Sequence, residues 1–137
     1  MLIKSTEIKL NTSKQFEIID ITSKINKEIA NFNFCNGIIN IFSKHSTSAI
    51  AVNENEKGLL KDFEFALSNL IDDDYSYNHD LIDNNASSHL KSLILSSSET
   101  VPVKNSKIDL GTWQSLFFIE LDGPRRNRKI VLTLVGE

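Results

Sequence analysis

Residues 113–121 read as a β-strand that is apolar on both faces. Trp113, Ser115, Phe117, Ile119 and Leu121 share one face, and Gln114, Leu116, Phe118, Glu120 and Asp122 the other, because successive strand side chains point to opposite sides. A solvent face does not normally carry Leu116 and Phe118. Gln114 and Glu120 therefore belong to a partly buried face, where polar groups need partners. A pocket or a subunit interface would supply them. A small domain has limited means to cover both faces of a sheet, so the pattern predicts a homo-oligomer.

The other segments read more simply. Residues 3–10 form a strand, Asn11 to Lys14 a polar turn, and 16–21 the returning strand of a hairpin. Thr22 or Ser23 caps a short helix to about Asn31, with Ile25 and Ile29 one turn apart. Residues 38–42 read as a buried strand and 48–52 as another. The clearest helix is 56–70, where Leu59, Leu60, Phe63, Ala66, Leu67 and Leu70 make one apolar stripe. A long polar connection, 71–84, carries Asp72, Asp73 and Asp74; such loops in small domains are usually functional or mobile. Ser87 or Ser88 caps a helix to about Leu95, and strands at 100–103 and 129–135 complete the set. Strands and helices in this order predict an α+β fold, since the regular alternation of a doubly wound sheet is missing. With 137 residues the chain reads as one domain, 1–137.

Charge and composition exclude several functions. Net charge is -3, with 15 basic and 18 acidic residues, which argues against a nucleic-acid binder held by a broad basic surface. A single cysteine, Cys35, rules out an internal disulfide framework. Apolar runs such as 116–119 fall far short of the ~20 residues that a membrane helix needs. The N-terminus has no signal-peptide pattern. The expectation is a soluble, cytoplasmic protein with no membrane partner.

Chemistry has few carriers. There are three histidines, His45, His79 and His89. Three imidazoles can bind a catalytic metal with one position open, or serve as acid, base and phosphate donors; their spacing is not a zinc signature, and by the residues alone unrelated surface or core histidines are the more common case. Ser43 to Ser48 is polar just after a buried strand, and its hydroxyls and imidazole suit a phosphate or diphosphate oxygen. A P-loop is absent. Asn53, Glu54, Asn55 and Glu56 precede the long helix, where they read either as a cap with first-turn carboxylates or as ligands for a metal or for diphosphate-bound magnesium. Asp62 lies one turn on, off the apolar stripe, as plain surface or at the rim of a site. Arg125, Arg126, Arg128 and Lys129 are the one basic cluster. Arg125 reads either as a bidentate phosphate partner beside a protonated His45 or as part of a solvated turn, and it ranks below His45 as a phosphate holder.

The same residues carry a family resemblance. His45-Ser46-Thr47-Ser48-Ala49 with Asn53-Glu54-Asn55, Tyr77-Asn78-His79-Asp80, Ser88-His89-Leu90-Lys91-Ser92, Leu110-Gly111-Thr112-Trp113-Gln114 and Leu134-Val135-Gly136-Glu137 resemble, in order and over essentially the whole chain, the motifs of the YjbQ-like family. The resemblance implies a compact single α+β domain with a large β-sandwich component and a few short helices, typically a homotrimer. It also implies a secondary thiamine-phosphate synthase activity, joining a pyrimidine methyl diphosphate to a thiazole phosphate. The matching site positions are His45, Thr47, Asn53, Glu54, Asp62, His79, His89, Trp113 and Gln114, with the histidines in one shared site. On this reading Glu54 and Asp62 hold a divalent ion, magnesium or zinc, or orient a histidine, and Trp113 walls the substrate. The chain departs from the family pattern at Ser87, where proline is common, at Ser96, where glycine is usual, and at Asn84-Asn85, where aspartates are common. Two other readings stand beside the synthase: a metal-assisted hydrolase, and a non-catalytic trimeric module that binds a phosphorylated metabolite.

Overall fold

The structure, a computed structural model, describes residues 1–137. Eight strands, β1 (Leu2–Leu10), β2 (Glu17–Asp20), β3 (Gly37–Ser43), β4 (Ser48–Asn53), β5 (Ser98–Lys104), β6 (Lys107–Ile108), β7 (Ser115–Glu120) and β8 (Arg128–Gly136), combine with helices α1 (Thr22–Asn31), α2 (Lys57–Leu70) and α3 (Ala86–Leu95). A short 3-10 turn spans Asn78–Leu81. The strands form a five-stranded sheet, β1-β8-β3-β5-β6, and a three-stranded sheet, β2-β7-β4. Every pairing is antiparallel. The fold is α+β, as expected.

Alternation along the strands builds the core. In β3, Ile39 and Ile41 are fully buried, whereas Ile38 and Phe42 stand in solvent. Ile39, Ile41, Val101, Val103, Ile130, Leu132 and Leu134 from the large sheet meet Ile50, Leu116 and Phe118 from the small one, and Ile25 and Ile29 of α1 close one end. Each fully buried Ile, Leu or Phe contributes roughly 1.5–3 kcal/mol. The opposite face of the small sheet, Ala49, Phe117, Ile119 and Leu121, packs against Leu60 of α2 and Leu95 of α3. β7 is therefore the middle of a three-layer stack.

That stack corrects one expectation. Leu116 and Phe118 are covered by the large sheet of the same chain, so this face calls for no subunit contact. Glu120, at 0% exposure, finds its partner inside the protein. Gln114 lies just before β7 and is exposed; its Oε1 accepts the Gly111 N–H at 2.8 Å.

The expected hairpin is also absent. β1 pairs along its whole length with β8, Leu2 opposite Gly136 and Leu10 opposite Arg128, and β2 pairs with β7, Ile18 opposite Ile119. The chain crosses between sheets at 11–16, anchored where the Thr12 N–H donates to the Arg125 carbonyl at 2.8 Å. At α1 the capping residue is Ile21, with no side-chain cap; the Thr22 hydroxyl instead accepts the Leu116 N–H at 2.9 Å. At α2 the Glu56 carboxylate caps, accepting from Gly58 and Leu59. The α2 stripe is only shallowly buried: Leu67 is its sole buried residue, while Leu70 is 63% exposed. No helix is long and apolar enough to cross a membrane.

Candidate functional site

β3 and β4 are joined by Lys44-His45-Ser46-Thr47, a turn locked by serines. The Ser43 and Ser48 hydroxyls bond each other at 2.5 Å, and Ser48 donates to the His45 carbonyl at 3.1 Å. Helix α3 is stitched to the same region: Ser88 donates to the Leu121 carbonyl and Ser92 to the Ser48 carbonyl, each at 2.6 Å. Between this turn and the α3 end lies an open cleft of about 770 Å³, lined by Lys44, His45, Ser46, His89, Ser96 and Ser97 among others. The hydroxyls of Ser46, Ser96 and Ser97 and the Lys44 ammonium hold no hydrogen bond within the chain. The cleft is thus lined by one cation, one free hydroxyl and His45 from the turn and by His89 and two free hydroxyls from the α3 side, a donor set suited to phosphoryl oxygens.

His45 is oriented from outside the cleft. The backbone N–H of Lys129 donates to its Nε2 at 2.8 Å. Nε2 is therefore an acceptor, and the ring proton sits on Nδ1. Burial, reinforced by the Arg128 charge, holds its pKa below the ordinary 6.5. The expectation of a protonated His45 is corrected: charging the ring would oppose the Lys129 N–H to a new N–H. His45 is a neutral Nδ1–H donor.

Beneath it lies a buried ion pair. Arg128 Nε donates to Glu120 Oε1 at 2.9 Å, and its Nη2 reaches the other carboxylate oxygen. The same Nη2 donates to the Thr47 hydroxyl at 3.0 Å, and the Thr12 hydroxyl donates to Glu120 at 2.7 Å. Burial alone would raise the Glu120 pKa; Arg128, Thr12 and the Asp122 N–H together hold it below its ordinary value. Thr47, expected as a substrate contact, is buried and its hydroxyl belongs to this network.

The histidines are partly gathered. His45 and His89 line the one cleft. His79 stacks edge-on against His89, ring centroids 4.8 Å apart. His79 Nε2 lies 3.1 Å from Asn85 Oδ1, while Asn85 Nδ2 donates to Asp122 Oδ2 at 3.0 Å. With the Asn85 amide oriented by Asp122, His79 must carry its proton on Nε2. An aspartate at 85 would instead oppose the Asp122 carboxylate. Arg125 joins the same chain, donating through Nε and Nη2 to Asp122 at 2.9 Å each. Its fork is thus directed at Asp122, away from the role of free phosphate holder.

The remaining expected residues lie elsewhere in this chain. β4 runs from Ser48, beside the cleft, to Asn53, and five residues of strand span ~17 Å. Asn53 and Glu54 are therefore at the opposite end of the small sheet. Trp113, 72% exposed, and Gln114 precede the β7 end that pairs with Asn53. Asp62 is an exposed residue of α2. No three His, Cys, Asp or Glu side chains converge on a metal-sized point. The three histidines form no three-ligand cluster within one chain, where an ion site needs its ligands about 2 Å from a common point.

Arg128, Ser96 and Ser97 were not singled out as site residues. A signal for Arg128 existed: a carboxylate at an apolar strand position needs a cation, and the basic cluster begins five residues after Glu120. Ser96 was marked only as a departure from the glycine usual in the family pattern and nothing local marked Ser97; both join the cleft through the end of α3.

The family model described as UPF0047 protein YjbQ-like matches residues 6–137. A UPF0047 protein of Methanothermobacter thermautotrophicus is 51% identical over 137 residues, covering 100% of this chain and 95% of that relative. One from Archaeoglobus fulgidus is 41% identical, covering 93% and 99%. Among solved structures, a YbjQ-like protein of unknown function from Sulfolobus solfataricus superposes with a TM-score of 0.95 at 38% identity, covering 99% of both chains.

Proposed function

The chain belongs to the YjbQ/UPF0047 family, and on that premise we propose that it is a secondary thiamine-phosphate synthase-like transferase acting in the cleft between the His45 turn and the end of α3. The reaction joins a pyrimidine methyl diphosphate to a thiazole phosphate. The bond from the pyrimidine methylene carbon to the diphosphate oxygen breaks, and the thiazole nitrogen supplies the pair for the new C–N bond. Diphosphate leaves with the electrons of the broken bond. This chemistry asks little of a nucleophile and much of positioning and of donors on the leaving group.

One observation carries the reading: Lys44, the free hydroxyls of Ser46, Ser96 and Ser97, and two imidazoles line one open cleft. Lys44 and the hydroxyls hold the departing diphosphate. His45 donates from Nδ1, its ring held by Lys129. His89 faces the same cleft, with His79 against its edge. Self-association, trimeric as the family resemblance implies, is supported by apolar side chains in solvent, Leu81 at 90%, Ile82 at 85% and Leu93 at 79% exposure.

The test is thiamine phosphate formation by purified protein supplied with both substrates. Saturable product that His45→Ala and Lys44→Ala abolish supports the synthase. Saturable diphosphate binding without product from any substrate pair overturns the synthase and leaves a phosphate-binding module.

A further inference from the structure

Ser96 stands in a backbone conformation that side chains avoid. It follows α3 as the helix C-cap, at φ 80 and ψ 152, a region populated essentially by glycine. The other non-glycine residues at positive φ lie at 51 to 65, and three of the four, Asn33, Asn105 and Asn127, are asparagines, which tolerate that region. Ser96 has no such excuse.

The surrounding structure holds it there. The Ser96 N–H donates to the Ser92 carbonyl at 2.9 Å, its own carbonyl accepts the Ile50 N–H at 3.2 Å, and the Ser97 carbonyl accepts the Ser43 N–H at 2.8 Å. These bonds tie the end of α3 to β4 and β3, and they are backbone bonds that glycine would make equally well. The Ser96 side chain gives the fold nothing in return: the residue is exposed, and its hydroxyl has no partner within the chain. What the side chain does have is a place in the lining of the cleft that Lys44, His45 and Ser46 also line. Strain tolerated at a position with no structural use for the side chain points to a ligand.

We propose that Ser96 is a specificity-determining residue of the cleft, its hydroxyl donating to a non-bridging oxygen of a phosphorylated ligand. This rests on the reading of the cleft as a phosphoryl site. A hydroxyl here favours ligands with a phosphoryl or diphosphoryl group at this end of the cleft over analogues lacking it, because it adds one donor to charged oxygen.

Two substitutions separate the hydroxyl from the strain. Ser96→Gly removes both; Ser96→Ala removes only the hydroxyl. Titration calorimetry with inorganic pyrophosphate, alongside thermal melts, reads both effects. Ser96→Gly should raise Tm by roughly 2–6 °C and Ser96→Ala should leave it near wild type. Both should bind pyrophosphate about tenfold more weakly. Wild-type affinity in both variants, with His45→Ala weakened, would overturn the role of Ser96 while the cleft reading stands. Wild-type protein that shows no saturable pyrophosphate binding would overturn both.

Discussion

The backbone N–H of Lys129 donates to His45 Nε2 at 2.8 Å, across 84 residues of sequence. One main-chain group at the start of β8 thereby sets which ring nitrogen of the cleft histidine carries the proton. Arg128, its immediate neighbour, is clamped by Glu120, so the ion pair beneath the cleft also positions the donor above it.

The pH dependence follows from this geometry. Folding holds the His45 pKa below 6.5 through burial and the Arg128 charge. The unfolded chain then takes up its proton first as pH falls. The His45 contribution is complete above about 6.5 and is lost as pH drops through the lower folded value. The stability gap between wild type and His45→Gln, from urea midpoints, should shrink between about pH 8 and about pH 5. A gap constant over that range would show that the ring is not held neutral.

Breaking the buried pair should be costly. Glu120→Gln or Arg128→Met leaves an uncompensated buried charge or an unmet donor fork, at about 3–5 kcal/mol. The double variant Glu120→Gln/Arg128→Met should lose less than either single change, because no charge is stranded. Denaturant unfolding of the three proteins measures this. A double loss equal to the sum of the singles would mean that the groups act independently.

Arg125 and His45 should differ in ligand binding. His45→Ala should weaken pyrophosphate binding by roughly 10- to 100-fold, the value of one donor to a charged oxygen. Arg125→Ala should leave the affinity within about twofold, since its guanidinium is already directed at Asp122. Calorimetric titration compares them, and a large loss in Arg125→Ala would place that arginine in the site.

Self-association can be separated from folding. Leu81→Lys, at a position 90% exposed, should lower the mass seen by light scattering at micromolar concentration and leave the monomer folded by circular dichroism. Phe118→Ala, in the fully buried core, should instead cost about 3–5 kcal/mol of stability. A monomeric wild type in light scattering would remove the proposed oligomer.

The sequence by itself determined the elements and their faces. The alternation in β7 marked both sides as covered, Ile25 and Ile29 marked the α1 stripe, and Glu120 stood out as a carboxylate needing a partner. These signals are local: side-chain direction in a strand or helix depends only on backbone period, and the hydrophobic effect selects which side turns inward. The motif residues His45 and His89 were legible for the same reason, as chemistry-bearing types in short patterns.

Only the tertiary structure decided what those faces meet. Residues 3–10 and 16–21 read as a hairpin, yet each found its partner far along the chain, in β8 and β7, because strand pairing is settled by the burial of whole sheets. The same assembly placed the large sheet over Leu116 and Phe118, where a subunit had been expected. It sent Asn53 and Glu54 to one end of β4 and His45 to the other, although only eight residues separate Asn53 from His45 in sequence. It brought Arg128 under Glu120, Lys129 onto His45, and the strained Ser96 onto the cleft wall. Lys129 and His45 are 84 positions apart, and even Arg128 and Glu120, eight apart, sit on different strands; no local period encodes such contacts.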